Sequence, residues 1–182
     1  MPQEGVSSIL SLVVGIVKKE KESVMFTKKL VDMIERQAEE IANRLIKDIQ
    51  TNVYTETYHE MGQEELRHRI LDVYRNLESW LTRKTDDEVR RKFMELGAAR
   101  FEEHIPLSQI VYALMLTRIH LVQYLKNYSM TETAFEMFRE HELCQSVVRF
   151  FDKAVFYTVY GYEHAEHTDE DEDYWHGFHP DS

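Results

Sequence analysis

Apolar residues recur every three or four positions over most of this chain, which is the spacing of one face of an α-helix. The clearest case is the segment 26–49, where charged side chains fill the positions between the apolar ones. Its apolar positions are Phe26, Leu30, Met33, Ile34, Ala38, Ile41, Leu45 and Ile49. The pattern predicts an amphipathic helix of roughly seven turns.

Two more helices are predicted after a polar stretch at residues 51–62. The first follows Gly62 and extends through Leu81, with apolar residues on one face. The second begins at TDDE, residues 85–88, where a threonine and a glutamate three positions apart form the pattern of a capping box. We expect this helix to end before Pro106, because proline disfavours helical geometry at the residue ahead of it.

The most apolar stretch, residues 106–127, predicts a central helix that is buried on more than one face. Its apolar residues are Ile110, Val111, Ala113, Leu114, Leu116, Ile119, Leu121, Val122 and Leu125. A last helix is predicted from a cap at Thr131 to about residue 162. No alternating apolar and polar run bounded by turn residues indicates a strand, so the predicted fold class is all-α.

The two ends of the chain differ from this body. The apolar run from Ile9 to Val17 predicts an N-terminal helix within residues 1–25, which docks on the body or on a second copy. Residues 163–182 hold eight acidic residues and no Lys or Arg, which predicts a mobile tail. The expected organisation is an N-terminal helix at 1–25, a helical domain at 26–162 and an acidic, histidine-rich tail at 163–182.

The charge and the cysteine content limit which partners and which cellular compartment are expected. The net charge is −11, but the sequence before the tail contains 25 acidic and 22 basic residues and no basic stripe, so nucleic acid is not expected as a partner. The apolar run at 9–17 is too short to span a bilayer, and an in-plane membrane anchor is the alternative to docking. The single cysteine, Cys144, fits a reducing compartment, so we expect a cytoplasmic protein.

Motifs of catalysis are not visible in the sequence. It contains no glycine-rich nucleophile elbow and no phosphate-binding loop. His141 precedes Cys144 by three residues, but a cysteine in the middle of an apolar helix usually behaves as a small hydrophobic residue. We therefore predict that the protein is not an enzyme and expect no cofactor.

Histidines offer the alternative function, a haem- or metal-binding helical protein. The metal candidates are four tail residues, His164, His167, His176 and His179. Imidazole groups beside carboxylates suit zinc, nickel or copper, although the segment lacks the apolar residues that would make such a site rigid. Haem ligation would use the body histidines, and no CxxCH attachment motif is present.

The stretch GAARFEEHIPLSQIVYALMLTRIH, residues 97–120, concentrates charge around Pro106. Arg118 lies on an apolar helix and needs a partner or an anionic ligand. One interpretation is an ion pair with a glutamate of a neighbouring helix. The other is a small pocket in which Arg100, Tyr112 and Arg118 bind a carboxylate or a partner protein.

The order of residues around this stretch resembles a known family. The segment L-x-x-W-L at 77–81 is followed at 93–121 by F-x-x-L-G-x-x-R-F-E-E-x-I-P-L-S-x-I-V-Y-A-L-x-L-T-R-x-H-L. These residues resemble the N-terminal sensory domain of the RsbR-type co-antagonists of the stressosome. The resemblance extends over about residues 26–160.

This resemblance implies a six-helix, globin-like fold without haem and a dimeric signal-input module without catalytic activity. In that family the domain commonly precedes a STAS domain or kinase modules, whereas here the acidic tail follows residue 162. We therefore expect a sensory or interaction domain that forms a homodimer through its N-terminal helix and contacts a signalling protein through its own surface.

Overall fold

Helices account for nearly all of the structure, a computed structural model that describes residues 25, 27–128 and 131–167. Its six α-helices are α1 (27–36), α2 (Ala38–Ile49), α3 (Gln63–Arg75), α4 (Asp86–Glu102), α5 (Leu107–Tyr128) and α6 (Ala134–His167). A 3-10 segment, Val53–His59, precedes α3, and a π-helical turn, Ser79–Arg83, precedes α4. These residues contain no strand, which confirms the all-α prediction. None of their helices is long and apolar enough to cross a membrane.

The amphipathic helix predicted at 26–49 is present as α1 and α2, which are separated by a turn at Gln37. The hydrogen-bond ladder continues through this turn, since the Gln37 N–H donates to the Met33 carbonyl at 3.1 Å. From Leu30 onward the predicted apolar stripe faces the core, and Ile34, Ile41 and Leu45 are at most 2% exposed. Local periodicity therefore placed this helix correctly, because its buried face is continuous.

Two helices begin at capping boxes. The Glu88 N–H donates to Thr85 Oγ1 at 3.3 Å and the Thr85 N–H donates to the Glu88 carboxylate at 2.9 Å, as predicted for α4. A second box starts α6, where the Glu136 N–H donates to Thr133 Oγ1 at 3.1 Å. The cap of α6 is thus Thr133 and not the predicted Thr131, because only Thr133 has a glutamate three positions later.

The central position of α5 follows from its contacts with several other elements. The Tyr74 hydroxyl of α3 donates to the Thr117 carbonyl at 2.9 Å, and His120 lies 2.9 Å from the Asp48 carboxylate of α2. One face of α5 is nevertheless open, because Met115 and Ile119 are 37% and 38% exposed. The prediction that Ile119 is buried was therefore wrong.

The helices α4 and α6 cross at two glycines. A Cβ added to Gly97 would lie 2.0 Å from the Thr158 carbonyl oxygen, and one added to Gly161 would lie 2.2 Å from the Met94 carbonyl oxygen. In contrast, α3 packs on α2 and does not pack closely on α4. A gap therefore remains between α3 and α4.

The ends of the described chain only partly test the predicted boundaries. Helix α6 continues to His167, five residues past the predicted end at 162, and the ring of His164 stacks on Tyr160 at a centroid distance of 4.6 Å. The predicted N-terminal helix at 1–25 falls almost wholly outside the described residues, and so does the tail after residue 167.

Candidate functional site

The gap between α3 and α4 forms a cleft with a volume of about 410 Å³, which we call the α3–α4 cleft. Helix α5 contributes part of its lining and α6 contributes one aromatic ring. Most of the lining is apolar, and it includes Trp80, Phe93, Leu96, Ile110, Leu114 and Phe151. Pockets of this size and character typically hold small molecules in proteins.

A charged cluster adjoins this apolar lining at the end of α4. Arg100 lines the cleft and is only 5% exposed. Its guanidinium group donates to Glu103, and the other oxygen of the same carboxylate lies 3.3 Å from Arg69 Nη2 of α3. One carboxylate therefore bridges two guanidinium groups, both of which belong to residues that line the cleft.

Tyr58 adds a hydroxyl group to this part of the cleft. It arrives on the 3-10 segment, which is held to α2 by a 2.6 Å hydrogen bond from Thr55 Oγ1 to the Ile49 carbonyl. Burial raises the pKa of Tyr58 to about 12, although the nearby charges of Arg100 and Arg69 oppose this rise. The hydroxyl group consequently stays protonated at neutral pH and is available as a donor.

Another part of the cleft is bounded by an ion pair and an indole ring. Lys92 Nζ of α4 lies 3.2 Å from the Asp72 carboxylate of α3. Trp80 lies in the π-helical turn, with its ring centroid 6.2 Å from that of Phe93. A polar surface groove adjoins the cleft here and shares Asp72, Trp80, Lys92 and Glu95 with it, which provides a path of entry from solvent.

The lining contains few hydroxyl groups and no thiol. It contains neither serine nor cysteine, and its one threonine, Thr117, donates to the Ala113 carbonyl of its own helix at 2.8 Å. Cys144 is buried outside the cleft, and burial raises the pKa of its thiol. A thiol in such surroundings is a poor nucleophile, because the thiolate is the reactive form.

The structure does not bring the three predicted ligand-binding residues together. Arg100 lines the cleft, but Arg118 pairs with Asp152 of α6, with Nη1 and Oδ1 2.9 Å apart. The ring of Tyr112 packs against that of Tyr54 at 5.1 Å. Arg118 thus has the structural ion pair that was one of its two interpretations, although its partner is an aspartate and not a glutamate.

Of the four histidines predicted to bind a metal, only His164 has a described side chain. It lies on α6 next to Tyr160, and His167 ends that helix. His176 and His179 lie outside the described residues. Among the residues that are described, no group of three or more His, Cys, Asp or Glu side chains is placed to hold a metal ion.

Sequence reasoning missed Tyr58, Arg69 and Trp80 as lining residues. Tyr58 lies in a polar stretch without helical period, so no pattern marked it as buried. The spacing of residues did contain a signal for the arginines. Arg69 follows Leu66 by three residues and Arg100 follows Phe93 by seven, so each lies on the buried face of its helix. A charged residue in register with an apolar stripe indicates a polar contact inside the fold.

Comparison with protein-family models, with curated proteins and with solved structures returned no match to this chain. The described residues form an all-helical domain with a mostly apolar cleft that is bordered by charged side chains.

Proposed function

We propose that this chain is a non-catalytic signal-input domain of a bacterial signalling system and that it binds a small, mostly apolar molecule in the α3–α4 cleft. The observation that supports this proposal most directly is Arg100, a nearly buried cation on the wall of an apolar cleft. Such a side chain costs free energy unless an anion and further acceptors satisfy its donors. Binding sites for small molecules commonly combine apolar walls with a few polar groups of this kind.

The resemblance to the RsbR-type sensory domain gives independent support. The residues that carry it, 93–121, include parts of α4 and α5 that line the cleft. We accordingly propose a cytoplasmic, globin-like domain without haem that acts as a homodimer. We also propose that it contacts a signalling protein.

The packing of α3 against α4 suggests how ligand binding could be relayed to the dimer interface, a step that we call the relay. Helix α3 contacts α4 mainly through side chains on either side of the cleft, including the Asp72–Lys92 and Arg69–Glu103 pairs. A molecule in the cleft would change the separation of α3 and α4, and the change would reach the dimer interface through the packed helices. Couplings of this kind amount to about 1–3 kcal/mol.

Thermal unfolding with a neutral probe tests the binding proposal. We expect 4-phenylbutan-1-ol to raise the melting temperature of the protein by about 2 °C or more at saturation, because a ligand that binds only the folded state stabilises it. Ala113→Leu places a larger side chain at the cleft wall and should abolish this shift. The matched control, Ala134→Leu, makes the same change at an exposed position at the start of α6 and should keep the shift.

Sedimentation velocity with and without the probe tests the relay. The proposal expects a dimer whose dissociation constant changes several-fold when the cleft is filled. A protein that stays monomeric at all concentrations, or a dimer indifferent to the probe, would contradict the relay. If neither 4-phenylbutan-1-ol nor its carboxylate analogue stabilises the protein, the binding proposal itself is wrong.

A further inference from the structure

We infer that the α3–α4 cleft selects an aromatic carboxylate, with its ring beside Trp80 and Phe93 and its carboxylate group on Arg100 in the place of Glu103. This inference rests on the proposed function, because it names the class of ligand for the same cleft. It is argued from the aromatic lining, the arginine pair and the position of Glu103.

Several aromatic rings belong to the cleft lining, and Phe93, one of them, packs on Phe150 outside it. The ring centroids of Trp80 and Phe93 are 6.2 Å apart and tilted by 59°, and Phe93 meets Phe150 edge to face at 5.7 Å. Phe151 also lines the cleft. Rings prefer such offset and edge-to-face contacts over stacking face to face, so an aromatic ligand can extend this cluster with favourable geometry.

The charged cluster is arranged for a carboxylate group. Glu103 already binds Arg100 through one oxygen and lies 3.3 Å from Arg69 through the other. Two guanidinium groups around one carboxylate form a recognition site of defined geometry, because the planar donors match the two oxygens. Glu103 itself is not part of the cleft lining, so the groups that the cleft presents at this point are the two cations.

Glu103 is positioned as an exchangeable occupant of this site. Its side chain is 38% exposed and it is the C-terminal cap residue of α4, so it can turn toward solvent without leaving a buried carboxylate unpaired. Arg100 cannot do the same, because its side chain is 7% exposed. A ligand carboxylate that replaces Glu103 therefore keeps the buried cation paired.

Tyr58 supplies a further donor next to the arginines. Its ring lines the cleft and is 5% exposed. Its hydroxyl group is protonated at neutral pH, as it is in any tyrosine of ordinary or raised pKa, and can donate a hydrogen bond to an anion. A neutral alcohol in the same position would gain less from these three donors than a carboxylate gains.

Isothermal titration calorimetry on the full chain with matched probes tests the inference. We expect 4-phenylbutyrate to bind about 10- to 100-fold more tightly than 4-phenylbutan-1-ol, because hydrogen bonds to a charged group are stronger than neutral ones. Octanoate, which keeps the carboxylate without a ring, and phenyl phosphate, which keeps the ring with a different anion, should both bind more weakly than 4-phenylbutyrate.

Three variants locate the anion. Arg100→Met should remove the preference for 4-phenylbutyrate over the alcohol, and Arg69→Met should reduce it. Arg69→Met provides a second test in case Arg100→Met does not fold, since the Arg69 side chain is 28% exposed.

The variant Glu103→Gln tests the exchange of carboxylates. It should tighten binding of 4-phenylbutyrate several-fold and leave the affinity for the alcohol unchanged, because the competing carboxylate is gone. Arg118→Met is the matched control and should change neither affinity, because Arg118 lies outside the cleft lining.

The outcomes separate this inference from the proposed function. Equal binding of the acid and the alcohol overturns the inference and leaves the cleft as a ligand site. Tighter binding of octanoate overturns the aromatic assignment, and tighter binding of phenyl phosphate overturns the carboxylate assignment. An unchanged affinity in Glu103→Gln overturns the exchange of carboxylates, whereas absence of binding by both 4-phenylbutyrate and 4-phenylbutan-1-ol overturns the proposed function as well.

Discussion

His104 is the only non-glycine residue with a positive φ, 58°, in the part of the chain that the structure describes. It follows the last turn of α4, where the Ile105 N–H donates to the Arg100 carbonyl at 3.1 Å and the His104 N–H to the Phe101 carbonyl at 2.9 Å. These two bonds form a Schellman motif, in which the left-handed position is usually glycine. A histidine here stores backbone strain, because its Cβ crowds the backbone in this conformation.

Replacing His104 with glycine should relieve this strain. We expect His104→Gly to stabilise the protein by about 0.5–1 kcal/mol, the strain relieved less the greater chain entropy of glycine in the unfolded state. Urea denaturation at pH 7 measures the change. His141→Gly, the same substitution at an exposed site within α6, should instead destabilise by about 1 kcal/mol. A lower midpoint for His104→Gly would contradict the assignment of strain.

At the scale of elements, the crossing of α4 and α6 is the closest backbone approach described above. Both contacts run from a glycine to the backbone of the other helix, so no side-chain rearrangement can make room for a Cβ. The N-terminus of α4 is held to α6 as well, because the Asp86 carboxylate accepts hydrogen bonds from Lys153 at 2.5 Å and from Tyr157 at 2.8 Å. These contacts lower the pKa of Asp86.

Alanine at either glycine of the crossing should force the helices apart. We expect Gly97→Ala and Gly161→Ala each to destabilise the protein by about 3 kcal/mol or more, at the upper end of the usual cost of overpacking. Gly62→Ala is the control, because an added Cβ there meets nothing within 4 Å, and it should change stability by less than about 0.5 kcal/mol. Denaturant unfolding monitored by circular dichroism distinguishes these cases, and equal midpoints for all three variants would show that the helices are not in close contact.

The sequence predicted the elements better than the spaces between them. The spacing of apolar residues and the capping box at Thr85 predicted where the helices lie, because both signals depend on residues that are close in the chain. The 3-10 segment Val53–His59 lacks such a period, so Tyr58 was missed as a lining residue. Trp80 fell within the helix predicted from Gly62 to Leu81, and its place in a π-helical turn at the cleft was not foreseen. Periodicity shows which side chains point inward, but it does not show how far apart two helices lie, so the cleft itself could not be predicted. Arg118 was identified as a candidate because its charge stands out on an apolar helix, and Arg100 because it lies in the charged turn before Pro106. The partner of Arg118 could not be predicted, because it depends on the register of α6 against α5.

At the scale of the whole molecule, the described core contains buried tyrosines, among them Tyr58 and Tyr74, whose hydroxyl groups favour the folded state only while they are protonated. Tyr74 is fully buried, its hydroxyl donates to the Thr117 carbonyl, and burial raises its pKa far above the ordinary value. Burial also raises the pKa of Tyr58. The folded protein therefore retains protons that the unfolded chain loses at high pH.

Global stability should fall as the pH rises above 10, the ordinary pKa of tyrosine. Both folded-state pKa values are raised, so the stabilisation is complete below pH 10, and Tyr58 and Tyr74 each lower the free energy of unfolding by up to about 1.4 kcal/mol per pH unit above it. The decrease in the free energy of unfolding that Tyr58 causes levels off near pH 12, the pKa of this residue in the folded state. Urea unfolding between pH 8 and 11.5 measures the slope.

The tyrosine variants assign this slope to individual residues. Tyr74→Phe should be less stable than the wild type at pH 8, because it loses the bond to Thr117, but its stability should decline less steeply above pH 10. Tyr58→Phe should also decline less steeply. Tyr54→Phe, at a ring that is 64% exposed, reports the general effect of losing a tyrosine hydroxyl. Identical slopes for the wild type and both core variants would contradict the linkage.

The glycine crossing also determines where this molecule can fluctuate. Helices α4 and α6 approach backbone to backbone at Gly97 and Gly161, so their separation has little room to change. Helix α3 is free of such a constraint on its α4 side, since the cleft lies between them. We therefore expect α3 to move more readily against α4 than α6 does, together with the 3-10 segment and the π-helical turn that carry Tyr58 and Trp80.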